Sequence, residues 1–188
     1  MTLRLFVAMD VPDGLRQSLG KAMEETAASA TGLQWVRPEN VHFTMKFLGN
    51  VEEEKLPALK KSLRDLADSQ AATDISIGGY GVFPSARRAR VFWLGLKDGT
   101  EQLKELARKL DKRMARLGFP AETRPWAAHV TLARLRQPRD VTEMLEAWED
   151  QPGIKETAWR GEELVLYRSV LDRTGPVYAA LERFKLKG

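Results

Sequence analysis

The chain has 188 residues, 43% hydrophobic and 30% charged, which suits one globular domain with a real core and excludes a disordered or collagen-like chain. It contains no cysteine, so disulfides, thiolate metal sites and cysteine nucleophiles are excluded. The net charge is +4, a weak bias towards anionic partners, and no run is apolar for the length of a membrane span.

Residues 3–9 are apolar and β-prone and read as a strand; the N-terminus lacks the pattern of an export leader, so a cytoplasmic location is expected. Val11, Leu15, Leu19, Met23 and Ala27 then recur at helical spacing, with Pro12 near the first turn and Gly32 as the stop. Residues 41–48 read as a strand closed by Gly49-Asn50. Leu56, Leu59, Leu63 and Leu66 mark a second helix, and residues 74–83 alternate into a strand.

The same order then recurs. Residues 90–96 read as a strand. Thr100 is a candidate cap for a helix carrying Leu103, Leu106, Leu110, Met114 and Leu117, and Gly118 is its stop. Residues 128–135 read as a strand, Val141, Leu145 and Trp148 suggest a shorter helix, and 163–171 is again a strand. Residues 176–186 are ambiguous, because Val177-Tyr178 suits a strand and Ala179-Ala180-Leu181-Glu182 a helix. Phe6 and His42 lie 36 residues apart, and Phe92 and His129 lie 37 apart. The expected organisation is one domain over 1–188, built from repeat units at approximately 3–84 and 90–171 plus a C-terminal segment 176–186. The expected fold class is α+β: two pseudo-symmetric lobes, each a small antiparallel or mixed sheet backed by helices, with a cleft between them.

The chain has two histidines, and both sit in the pattern His-x-Thr-apolar: His42-Phe43-Thr44-Met45 and His129-Val130-Thr131-Leu132. Threonine is 11 of 188 residues, so chance would place it two positions after both histidines roughly once in 300. On a strand, residues two apart share a face, so His42 joins Thr44 and His129 joins Thr131. Phe43, Met45, Val130 and Leu132 then face the core. Two such strands about a pseudo-twofold axis gather two imidazoles and two hydroxyls. One imidazole can accept a proton while the other donates one, and the hydroxyls can hold non-bridging phosphate oxygens. A metal site fits less well, since no cysteine exists and no carboxylate follows within four residues of either histidine.

The clusters Arg87, Arg88, Arg90 and Arg134, Arg136, Arg139 suit either a phosphate-binding surface or a solvated face. Phe47 and Arg134 both stand five residues after a histidine. Strand parity sends them away from it, unless a bulge near the strand end turns them back.

At these residues the sequence resembles the RNA 2′,3′-cyclic phosphodiesterases, or 2′-5′ RNA ligases, of the 2H phosphoesterase superfamily. The resemblance covers nearly the whole chain. It runs through Leu5-Phe6-Val7-Ala8, residues 35–49, Gly81-Val82-Phe83-Pro84-Ser85 and Trp93-Leu94-Gly95. It continues through residues 129–134, Leu166-Tyr167-Arg168-Ser169 and Gly175-Pro176-Val177-Tyr178. One departure is Ala128, where proline is common before the histidine.

The resemblance implies metal-independent hydrolysis of a terminal 2′,3′-cyclic phosphate to a 2′-phosphate, together with a reversible 2′-5′ RNA ligase activity. By the same analogy His42 is the proton donor and His129 the proton acceptor, an assignment the residues alone leave open. Thr44, Thr131 and Arg134 would bind phosphate, and Phe47 would stack a base. Trp35, Trp93 and Tyr178 are further candidates to line the groove. No cofactor or metal is implied, the partners are RNA ends or nucleotides with a 2′,3′-cyclic phosphate, no membrane is involved, and a monomer is expected. Two alternatives stay open: a cyclic phosphodiesterase acting on a small nucleotide, and a non-catalytic RNA-end-binding module.

Overall fold

The computed structural model of the protein describes residues 1–27, 32–149, 151, 153–172 and 175–188. The strands are β1 (Thr2–Asp10), β2 (Leu33–Trp35), β3 (His42–Glu52), β4 (Thr73–Phe83), β5 (Ala89–Asp98), β6 (His129–Arg139), β7 (Ala158–Gly161), β8 (Glu163–Asp172) and β9 (Gly175–Lys185). The 3.6-residue stripes become α1 (Asp13–Ala27), α2 (Leu56–Ala67), α3 (Thr100–Arg116) and α4 (Thr142–Glu149). α3 shows the logic clearly: Leu103, Leu106, Ala107, Leu110 and Met114 are its buried face. Each such leucine is worth about 1.5–3 kcal/mol of apolar burial.

Several boundaries differ from the sequence expectation. Thr100 is the first residue of α3 and not its cap; Gly99 takes that place at a φ of +84°, and its carbonyl accepts from Leu103 N–H. Gly49-Asn50 do not close β3, which runs on to Glu52 because Leu5 and Arg4 pair with them. The ambiguous segment 176–186 is strand as far as Lys185, since β9 pairs with β8 along its length. The short edge strands β2 and β7 carry no pattern that periodicity detects. The Gly118 stop is realised: its φ is +84°, and Phe119 N–H donates to the Met114 carbonyl.

The strands form two sheets, in the orders β3-β1-β8-β9 and β2-β6-β5-β4-β7, and every ladder is antiparallel. This is the expected α+β class with two lobes. The connectivity crosses between them: β4 leaves the chain's first half to pair with β5, and β8 leaves the second half to pair with β1. A single large apolar cluster includes buried side chains from both sheets, among them Phe43, Leu94, Val130 and Leu166.

The two histidine strands are also tied to each other. Lys46 on β3 points inwards, 2% exposed. Its Nζ donates to Asp111 Oδ1 on α3 (2.6 Å), to the Pro120 carbonyl (2.9 Å) and to Glu122 Oε1 (3.5 Å). Trp126 Nε1, three residues before His129, donates to the Thr44 carbonyl (2.8 Å). The segment leading into β6 is thus pinned against β3. Lys46→Met keeps the stem and removes the charge. Asp111 is 24% exposed and stays partly solvated, so the loss should fall below that of a fully buried pair, at about 2–3 kcal/mol. A urea midpoint unchanged from wild type would refute this.

Candidate active site

The two histidine strands share one device. Their first nine residues have the same burial sequence, and in each the third and fourth residues after the histidine are both buried: Met45-Lys46 and Leu132-Ala133. The ladders show why. Val7 pairs with Lys46 while Ala8 pairs with Thr44, so Met45 is an extra residue in β3. Phe92 pairs with Ala133 while Trp93 pairs with Thr131, so Leu132 is an extra residue in β6. A bulge at the same step in each strand reverses the parity beyond it. Phe47 and Arg134 thereby rejoin the face of His42 and His129.

The result is a cleft of about 350 Å³, within the usual range for small-molecule sites. Its walls include His42, Thr44, Phe47, His129, Thr131 and Arg134. The six residues expected to act or to bind substrate therefore lie in one cavity. Trp35 and Tyr178 also line it. Trp93 does not, but its indole stands edge-on to His129 with centroids 6.4 Å apart. That indole lies where a side chain on Gly81 would be, since a Cβ there would come within 2.1 Å of it. Arg87, Arg88 and Arg90 lie outside the cleft walls.

Both imidazoles are oriented by the carbonyl two residues before them. His42 Nδ1–H donates to Asn40 O (2.6 Å), and His129 Nδ1–H donates to Ala127 O (2.9 Å). This fixes the tautomer and leaves Nε2 as the nitrogen free for chemistry. The Thr44 hydroxyl donates to Nε2 of neutral His42 (2.9 Å). Sequence patterning cannot find such partners, because a backbone carbonyl has no residue signature. Gln34, Val36, Arg37, Asn40, Gly175 and Pro176 are the cleft residues it missed.

The surroundings of the two rings differ. His42 stacks on Phe6 (5.0 Å, 29°) and meets Tyr178 edge-on (5.4 Å, 79°). Burial holds its pKa below the ordinary histidine value; the Asn40 carbonyl and the Asp10 charge pull it back up, and Arg16 pushes it down. Asp10 is itself held by Tyr167 Oη–H (2.8 Å) and Arg183 Nη1 (3.0 Å), and burial with the Asp10 contact pushes the Tyr167 phenol up to about 12. His129 is flanked by the exposed ring of Phe83, edge-on at 5.5 Å. Among the described residues no three His, Asp or Glu side chains converge to hold a metal.

A family model described as LigT-like phosphoesterase matches the chain twice, over residues 9–93 and 94–178. The chain belongs to this family. An RNA 2′,3′-cyclic phosphodiesterase of Methanothermobacter thermautotrophicus is 35% identical over 99% of this chain and 100% of its own. One of Archaeoglobus fulgidus is 32% identical over 97% and 100%. Among solved structures, a Thermus thermophilus protein superposes with a TM-score of 0.82 at 30% identity, covering 99% of both chains. Escherichia coli LigT in complex with 3′-AMP gives 0.79 at 27% identity, covering the whole of both. The LigT-like phosphoesterase fold thus accounts for the crossed two-sheet architecture.

Because the chain has two histidines, a histidine-selective NMR spectrum shows two rings. His42 should titrate below the ordinary histidine value, and inorganic phosphate should move its midpoint upwards, because an anion in the cleft favours the imidazolium. A His42 midpoint that ignores phosphate would mean that the anion does not sit beside it.

Proposed function

We propose that this phosphoesterase hydrolyses terminal 2′,3′-cyclic phosphates on RNA to 2′-phosphates, without a metal, by acid–base catalysis between His42 and His129. The observation that carries this reading is the doubled bulge, which turns two His-x-Thr motifs into one cleft with Phe47 and Arg134 added. The names of the relatives supply the substrate class.

In this reading the phosphorus sits between the two Nε2 atoms. His129 takes a proton from water as the water oxygen bonds to phosphorus. The bond from phosphorus to O3′ breaks, and His42 gives its proton to that oxygen. The products are a 2′-phosphate and a free 3′-hydroxyl. Thr44, Thr131 and Arg134 hold the non-bridging oxygens, whose charge must be stabilised through the transition state. Phe47, 54% exposed, offers its ring face to a base. Burial disfavours the charged His42 that this role needs. The substrate's own negative charge restores it, so the acid is loaded when phosphate arrives. With a 5′-hydroxyl in place of water, the same two proton transfers would form a 2′-5′ linkage. All six of these residues come from one chain, which supports a monomer as the working unit.

His42→Ala and His129→Ala should each lower kcat on a cyclic-phosphate-ended oligoribonucleotide by about 10²–10⁴-fold. Thr44→Val and Thr131→Val should each cost about 10²-fold. EDTA should leave the rate unchanged, and the product should carry its phosphate on O2′. Wild-type turnover in either histidine variant would end the two-histidine mechanism. The presence of 3′-AMP in the related E. coli structure makes a small nucleotide the second reading. Equal kcat/KM on cyclic mononucleotides and on oligonucleotides would favour it.

A further inference from the structure

The carbonyl that orients His42 belongs to an unusually well-held residue. Asn40 closes the 3₁₀ turn Pro38–Asn40, and its N–H donates to the Arg37 carbonyl (2.8 Å). It is one of the few buried polar residues, 7% exposed. Its side-chain Nδ2 donates to the carbonyl of Pro176 (2.7 Å), 136 positions further along the chain. Pro176 lies at the start of β9, the edge strand of its sheet, and Tyr178 two residues on is the ring that meets His42 edge-on. One residue therefore fixes two of the supports of the imidazole. Its carbonyl holds Nδ1, and its amide clips the strand that carries the covering tyrosine.

Before His129 the chain is held differently, with Trp126 Nε1 donating to the Thr44 carbonyl. The carbonyl that holds His129 comes from Ala127, whose side chain has no polar group, and the bond is longer (2.9 against 2.6 Å). The use of one residue for both the carbonyl and the clip is therefore particular to His42 and is not a requirement of the His-x-Thr motif. We infer that Asn40 is a positioning residue that locks the tautomer and direction of His42 by clipping the start of β9 to the turn before β3. The inference rests on the acid–base reading above for its kinetic consequence. The structural consequence can be read without it.

Asn40→Ala removes the clip, and Asn40→Asp keeps the size while setting a carboxylate against the Pro176 carbonyl. Both variants of the full chain should lower kcat on a cyclic-phosphate-ended oligoribonucleotide by about 10- to 100-fold, because an acid misdirected by a fraction of an ångström loses most of its effect. KM should stay within about threefold, since no phosphate contact is removed. In substrate-free protein, the ¹⁵N shifts of His42 should move from a single Nδ1–H tautomer towards a mixture, while those of His129 stay put. The nearby carboxylate of Asn40→Asp should also raise the His42 midpoint. A raised KM with kcat and the His42 tautomer intact would overturn the inference and make Asn40 a substrate contact. A lower melting temperature with kcat and tautomer intact would overturn it in favour of a structural role. Absence of turnover in the wild type would reject the proposed reaction, and the NMR spectrum would still judge the clip.

Discussion

A bulge at the same step of each histidine strand organises the cleft of this protein. A regular strand sends alternate side chains to opposite faces, so a histidine and the fifth residue after it would never meet. The insertion of Met45 into β3 and of Leu132 into β6 shifts the phase by one. Before the bulge the strand offers His and Thr to the cleft. After it, the strand offers Phe47 on one side and Arg134 on the other. The bulge also sends two successive residues inwards, which the apolar core absorbs at Met45, Leu132 and Ala133. The fourth such residue is Lys46, which needs an anion, and Asp111 and Glu122 supply it. The tie that holds the two histidine strands together thus follows from the same phase shift that builds the site.

The two halves then diverge, and the divergence suits a reaction with unlike partners. His42 is packed between Phe6 and Tyr178, with its charge set by burial against the nearby Asp10. His129 stands on the more open side, with Ala127 as its support and the exposed Phe83 beside it. A symmetric scaffold that holds two like residues in unlike surroundings can give them unlike proton affinities without changing the residue type, which is what the proposed acid–base reaction asks of it.

Much of this was legible in the sequence because periodicity and composition report local burial. Each helical stripe became a helix, and the paired His-x-Thr motifs were visible because their residues recur at matching places. The strand expected over 128–135 became β6, although it extends to Arg139. What stayed hidden depends on pairing partners. The parity rule argued against Phe47 and Arg134, and only a ladder shows where the phase slips. β2 has three residues and β7 four, too short for an alternation to appear. Gly49-Asn50 looked like a turn because Gly and Asn favour turns, yet pairing with β1 carries the strand straight through them. Asn40 was invisible because its carbonyl makes the contact that matters to His42, and its amide finds a partner at the far end of the chain.

The exchange of strands between the sheets has a thermodynamic side. β4 lies between β5 and β7, and β8 lies between β1 and β9. Each sheet therefore keeps an interior strand that belongs, by chain order, to the other half. Unfolding either half alone would tear a central ladder out of the surviving one and expose its apolar face. The lobes look like two bodies with a groove between them, but neither is built from one half of the chain, and one apolar cluster includes residues of both. Loss of either half would take a central strand from each side of the groove, so the geometry on both sides depends on the whole chain.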